Sequence, residues 1–154
     1  MSILENAALL FHESIALPWI VLLAIALLVI NKRVTLLLAL VLALLFIPVL
    51  KEAIHQERPC FQFRETFLLA CPHDYGMPSA HGAIAAIFIL AALGTESFWL
   101  FLPIMAFAAL SRVILNLHTV EQVAAGLAFG GMVYFLSNHL VKDIARRWGW
   151  KHVE

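Results

Sequence analysis

Charge is what this sequence has least of. Asp, Glu, Lys and Arg make up 13% of its 154 residues and hydrophobic side chains 63%, against roughly 25% and 45–50% in soluble domains. A soluble chain of this length has no interior large enough to hide that much apolar surface, so soluble, disordered and collagen-like readings are excluded. Two cysteines are too few for a disulfide scaffold. There is no HExxH, no paired CxxC and no acidic cluster with metal-ligand spacing, so no metal or other cofactor is expected. Ten basic residues balance ten acidic ones, which leaves no net charge to point to a nucleic-acid partner. Residues 1–14 hold no Lys or Arg, so no cleavable signal peptide is expected. Internal repeats and low-complexity stretches are also missing.

The few charges divide the chain. Five gaps carry none of them: 14–31, 34–50, 75–95, 97–111 and 122–141. Crossing a bilayer takes about 20 apolar residues, with about 17 as the lower limit. Only helices and closed barrels satisfy their backbone in lipid, and continuous apolar runs exclude a barrel. The expected fold is therefore all-α: a polytopic membrane helix bundle of about five transmembrane helices in a single domain over 1–154. The fourth helix must carry Arg112 and run on to about Asn116. Residues 3–11 have helical apolar spacing but are too short to span, which predicts an interfacial helix.

Alternation then places the N-terminus, the polar loop 51–78 and the 112–121 junction on one side. The turns at 31–33 and 94–96 and the tail 142–154 fall on the other. That second side holds Lys32, Arg33, Lys142, Arg146, Arg147 and Lys151, six of the ten basic residues, and the positive-inside rule makes it cytoplasmic. Lys51, Arg58, Arg64 and Arg112 sit on the outer side, where that rule disfavours them.

Three motifs share this outer side. Lys51 and Arg58 leave the second span seven residues apart, two helical turns, and Pro59 is expected to end that helix. Two cations on one stripe make an anion site, and arginine adds a planar fork suited to phosphate. Pro78 and Ser79 open the third span, where free N–H groups and the positive dipole end favour phosphate; a plain N-cap at Ser79 is the alternative. His81 stands two residues inside as a proton donor. Arg112 and His118, six apart, converge only if the chain turns between them, as a helix end near Asn116 allows. His12, His139 and His152 are isolated at membrane borders and carry no role. Two histidines, three cations and a helix N-terminus on one face suit metal-free phosphoryl transfer: one histidine attacks phosphorus, cations hold the oxygens, and the other protonates the leaving group.

KxxxxxxRP, PSxH and SRxxxxxH, in that order on adjacent helix ends, resemble the three signature motifs of the type 2 phosphatidic acid phosphatase (PAP2) superfamily. The resemblance covers residues 34 to about 141, with the motif core at 51–122. It implies His118 as nucleophile, His81 as general acid and base, and Lys51, Arg58, Ser79, Ala80 and Arg112 as the phosphate-binding set. Two positions depart from the family pattern. Ala80 replaces the glycine of PSGH, and Gln122 stands where an aspartate usually orients the nucleophile, with Glu121 beside it. Both side chains reach back over the first turn toward His118; for Gln122 a capping box with Thr119 is the alternative. HTxxQV, QERPC and YGMPS are similar to the polyprenyl (dolichyl-type) diphosphate phosphatase branch, where such a glutamine recurs.

The resemblance implies a lipid phosphate as substrate and membrane lipids as surroundings. The leading expectation is hydrolysis of a polyprenyl, undecaprenyl-type, diphosphate at the outer face of the cell membrane through a phosphohistidine. A phosphatidic acid or phosphatidylglycerol phosphate phosphatase, a lipid phosphotransferase and a non-catalytic lipid-phosphate binder are the alternatives. Cys60 and Cys71 share the outer loop, where a disulfide is permitted by compartment but spacing decides nothing about geometry. The oligomeric state has no sequence signal.

Overall fold

The computed structural model of the chain describes residues 3–10, 17–63 and 71–149. Among these are six α-helices and no strand: α1 (Ile3–Leu9), α2 (Leu17–Val29), α3 (Arg33–Ile54), α4 (Ala80–Ala92), α5 (Phe98–Ile114) and α6 (Val120–Trp148). A 3₁₀ turn covers Pro59–Phe63. Helices α2 to α6 follow the five charge-free gaps in order.

Their lengths are less uniform than the gaps. α3 and α6, with 22 and 29 residues, are long and apolar enough to cross a membrane. α5 has 17 residues, at the lower limit of about 17. α2 and α4 have 13 each. The gap from residue 75 overstates α4 because Ser79 is extended and caps the helix, its hydroxyl accepting from the Gly82 N–H at 3.4 Å. At the far end Gly94 takes a positive φ of 86° that most side chains resist.

α4 is the centre of the bundle. It packs most extensively on α6, then on α5 and α3. Its buried residues are mostly small: Gly82, Ala83, Ala85, Ala86, Ala91 and Ala92, with His81, Ile87 and Phe88. Helices in lipid gain little from apolar burial against one another, so close approach of backbones supplies the packing. Gly126 of α6 lies directly against the backbone of Ser79: a Cβ there would stand 3.1 Å from the Ser79 carbonyl carbon. The opposite, lipid-facing surface exposes large side chains such as Leu44, Leu45, Phe46, Val49, Met132, Phe135 and Leu136.

The chain's polar segments gather at two ends. At one end the loops after α3 and α5 meet the start of α6, since Gln122 Nε2 donates to the Glu57 carbonyl at 2.8 Å. At the other end the turns at 30–32 and 93–97 meet, where Ser97 Oγ donates to the Val29 carbonyl at 3.4 Å. The short N-terminal helix α1 packs on α5, with Ala8 buried beside Cys60, Leu115 and Leu117 at the first end. Arg64, His12, Lys151 and His152 lie outside the described residues.

Candidate active site

The segment after α3 departs from the expectation that Lys51 and Arg58 share one helix face. α3 ends at Ile54, and His55 turns left-handed (φ 54°) with its N–H on the Lys51 carbonyl at 3.0 Å. Pro59 explains the break, one turn earlier than its own position. In a continuing helix its ring would clash with the carbonyl of His55, four residues back, and leave that carbonyl without a donor. Residues 55–58 instead run across the bundle end, and the Gln56 carbonyl accepts from Gly76 N–H at 2.7 Å.

What unites Lys51 and Arg58 is Asp74, a residue without periodic or motif context in the sequence. Its carboxylate pairs with Lys51 Nζ through Oδ2 and with Arg58 Nη2 through Oδ1 at 2.6 Å. Its backbone carbonyl accepts from Arg58 Nε at 3.1 Å. Burial alone would raise the Asp74 pKa, and the two cations more than offset it, holding the carboxyl below its ordinary value. The Cys60–Cys71 disulfide, left open by the sequence, is formed, with Cα atoms 5.8 Å apart. It closes the loop whose two flanks carry Arg58 and Asp74.

α5 ends at Ile114, and Asn116 takes the left-handed conformation (φ 51°). Asparagine tolerates it better than most residues. The turn is held by the Arg112 carbonyl, which accepts from both Leu117 N–H (2.9 Å) and His118 N–H (3.1 Å). This brings His118 back to the same end as Arg112, as the motif spacing required.

His118 is 2% exposed and held at both ring nitrogens. Nδ1 lies 3.1 Å from Gln122 Oε1, and Nε2 lies 2.9 Å from Arg58 Nη1. The roles of these atoms follow from their partners. Gln122 Nε2 donates to the Glu57 carbonyl and its Oε1 accepts from Thr119 N–H at 3.2 Å, which fixes the amide's orientation. Nδ1 must then donate to Oε1. Arginine only donates, so Nε2 carries the lone pair. Desolvation first, then the charges of Arg58, Lys51 and Arg112, lower the His118 pKa from 6.5 to about 3, against an opposing effect of Gln122. The imidazole is neutral at ordinary pH.

The sequence offered Gln122 as either a cap or an orienting partner; it is both. The capping box with Thr119 is complete, and the same Oε1 receives the His118 ring. Gly76 makes room for this amide, since a Cβ there would lie 2.6 Å from Gln122 Cδ. Glu121 is exposed, and the His118 ring meets Gln122 instead. Ser79 is fully buried, caps α4 and donates its N–H to the Gln122 carbonyl at 3.0 Å. Ala80, at the first position of α4, has an N–H with no acceptor within the helix.

A cleft of about 430 Å³ runs down from this end between α2, α3 and α4. Lys51, Glu52, Asp74 and His81 line its polar part, and Trp19, Leu44, Ile47, Pro48, Ala80 and Ile84 its apolar part. Trp19 meets the His81 ring edge-on, centroids 5.1 Å apart. Among the described residues no group of three or more His, Cys, Asp or Glu side chains gathers at metal-binding distance.

Residues 32–146 match the PAP2 superfamily. The chain belongs to that superfamily. A curated relative, the undecaprenyl-diphosphatase of Sulfolobus acidocaldarius, is 34% identical over 121 residues, covering 73% of this chain and 59% of the relative. The chain thus spans about three fifths of the length of that relative. Among solved structures, a transmembrane PAP2-type phosphatidylglycerolphosphate phosphatase from Bacillus subtilis superimposes with a TM-score of 0.64 at 23% identity, covering 92% of this chain and 76% of that one. At that identity the likeness establishes the shared helical fold of these PAP2 chains.

Proposed function

We propose that the chain is a lipid-phosphate phosphatase that hydrolyses a polyprenyl diphosphate to the monophosphate at the outer face of a cytoplasmic membrane. The observation that carries this reading is the state of His118: buried, neutral, its Nδ1 proton committed to Gln122, its Nε2 lone pair on Arg58, and the charges of Lys51 and Arg112 acting on the ring. An imidazole held this way is poised as a nucleophile, with the charge of the transferring group already matched.

In the proposed reaction His118 Nε2 attacks the terminal phosphorus. The bond from phosphorus to the bridging oxygen breaks, and His81 gives that oxygen its proton. Lys51, Arg58, Arg112 and the first-turn N–H of Ala80 hold the equatorial oxygens. Gln122 Oε1 keeps its bond to Nδ1–H as the ring becomes cationic. Water then attacks the phosphohistidine, His81 takes its proton, and the phosphorus–nitrogen bond breaks to release inorganic phosphate. The cations that neutralise the phosphate are the chain's own, so turnover is expected to persist in EDTA.

The polyprenyl diphosphate is supported by the 34% identity to the undecaprenyl-diphosphatase. The cleft's division into a charged end and an apolar wall suits a phosphate on a hydrocarbon tail. The outer face is supported by the basic residues at the opposite end of the bundle and by the Cys60–Cys71 bond, since disulfides persist in oxidising compartments. Phosphate release by the purified chain, in detergent with EDTA, from undecaprenyl diphosphate, phosphatidic acid and phosphatidylglycerol phosphate tests the reading. Fastest release is expected from the diphosphate; release from none, or only with added divalent metal, would sink it. A reporter fused to the C-terminus should read cytoplasmic, and an outside reading would place the site in the cytosol.

A further inference from the structure

Two of the cations assigned to phosphate, Lys51 and Arg58, are held by the chain's own groups. Each of the three guanidinium nitrogens of Arg58 is engaged: Nε with the Asp74 carbonyl, Nη2 with its Oδ1, and Nη1 with His118 Nε2. Lys51 Nζ is on Asp74 Oδ2. The cleft wall includes Asp74, whereas Arg58 (1% exposed) and His118 (2% exposed) lie beyond it. A phosphate entering from the cleft meets Asp74 and Lys51 in its wall. It reaches neither the arginine fork nor the Nε2 lone pair while these contacts stand.

We propose that Asp74 is an internal stand-in for the substrate's phosphate: its carboxylate holds Lys51 and Arg58 in the resting site, yields them to the incoming phosphate, and returns to displace inorganic phosphate after turnover. Three observations carry the exchange. Buried cations need an anion, because Arg58 and Lys51 at 1% and 6% exposure would otherwise lose hydration without compensation. A carboxylate can meet that need, with Oδ1 and Oδ2 each taking one cation as two phosphate oxygens would. The Asp74 side chain is also 46% exposed, so unlike its partners it has solvent to move into. When it leaves, Arg58 turns to phosphate and Nε2 is uncovered. Binding and unmasking of the nucleophile become one event, and Asp74 acts as a positioning residue through Arg58 and Lys51.

The inference rests on the phosphatase reading for its role in turnover, but its central claim is about anion binding and is tested without turnover. Calorimetric titration of the full chain with inorganic phosphate is expected to show tighter binding in Asp74→Asn than in wild type. The change should be of the order of tenfold, within the usual range for coupled binding events. Asp74→Glu should move the affinity back toward wild type. Equal or weaker binding in Asp74→Asn, or no binding by either protein, overturns the proposal. Should Asp74→Asn fail to fold, the wild-type chain decides, because it contains two aspartates, Asp74 and Asp143. With carboxyl-labelled aspartate, the Asp74 resonance should shift on phosphate addition while that of Asp143 stays fixed, the Asp143→Asn variant giving the assignment. A static Asp74 signal at saturating phosphate overturns it.

Steady-state kinetics add a readout that a purely structural ion pair would not move. A stand-in predicts lower KM, lower kcat and stronger inhibition by added phosphate in Asp74→Asn; a structural pair predicts higher KM and unchanged inhibition, which contradicts the proposal. Phosphate binding that moves Asp74 in a protein inert toward every lipid phosphate upholds the stand-in and refutes the phosphatase reading. Lipid hydrolysis with Asp74 static does the reverse.

Discussion

At one end of the bundle Lys51, Arg58 and Arg112 are 6%, 1% and 0% exposed. At the other, Arg146 and Arg147 pair with Asp143 one turn away along α6, with side chains 70% and 76% exposed. The residue types match and the physics does not. An exposed pair trades water for a partner at nearly equal free energy. A buried cation has surrendered its hydration, at an effective penalty of several kcal/mol per ion even after relaxation, and persists only where an anion compensates it. Asp74 compensates Lys51 and Arg58 here, and the three buried cations beside a neutral histidine supply the charge that the proposed phosphate site requires.

The largest break in this comparison should come from His118→Ala. With no other nucleophile in the constellation, single-turnover phosphate release is expected to fall by roughly 10⁴-fold or more, while circular dichroism shows the helices intact. Retained activity would dismiss the mechanism.

Gln122→Ala should be next, and it should register twice. Loss of the ring's fixed orientation is expected to slow the chemical step by about a hundredfold. Loss of the capping box should lower stability by about 1 kcal/mol, read by thermal unfolding in detergent. Glu121→Gln, at an exposed position, should leave both unchanged.

A smaller effect follows from pH. His118 titrates near 6.5 in the unfolded chain and at about 3 when folded. Between those values the unfolded state binds the extra proton, so this contribution to stability is complete above about pH 6.5 and declines as pH falls toward about 3. His118→Asn should flatten that part of the midpoint-versus-pH curve. The Asp74 contribution is lost only lower, as pH falls through a folded pKa held below 3.8. An unchanged slope in His118→Asn would show the ring to be charged or exposed.

The smallest effect sharpens the contrast from the other side. Replacing both Arg146 and Arg147 by alanine should change stability by no more than about 1 kcal/mol. A larger loss would mean that the outlying end holds charge as tightly as the site does.

The helix order and the gathering of eight motif residues at one end were legible because each rests on a local signal. Charge-free runs located the helices, Ser79 announced a cap, and Asn116 allowed the turn that returns His118. The relation between Lys51 and Arg58 departs from the helical spacing that their separation predicts, because Pro59 acts on the carbonyl four residues upstream rather than where it stands. Asp74 lacks a sequence signal for another reason. It meets Arg58 across 16 positions and Lys51 across 23, and a single acid in a loop leaves no periodic trace. Gln122 exposed a false choice: one amide has two functional ends and two lone pairs on its oxygen, so capping and orienting never competed.

The shortness of α4 bears on the depth at which the proposed chemistry takes place. Thirteen residues rise about 20 Å, against about 30 Å of hydrocarbon. The helix therefore leaves about 10 Å of hydrocarbon thickness that it does not cover. In the proposed reaction, any part of that shortfall on the Ser79 side draws the headgroup at Ala80, and the hydrolytic water with it, beneath the plane of the neighbouring headgroups. There a lower dielectric strengthens every contact to phosphate, and a soluble phosphate ester, with no tail to carry it into the recess, is at a disadvantage before any side chain is asked to discriminate.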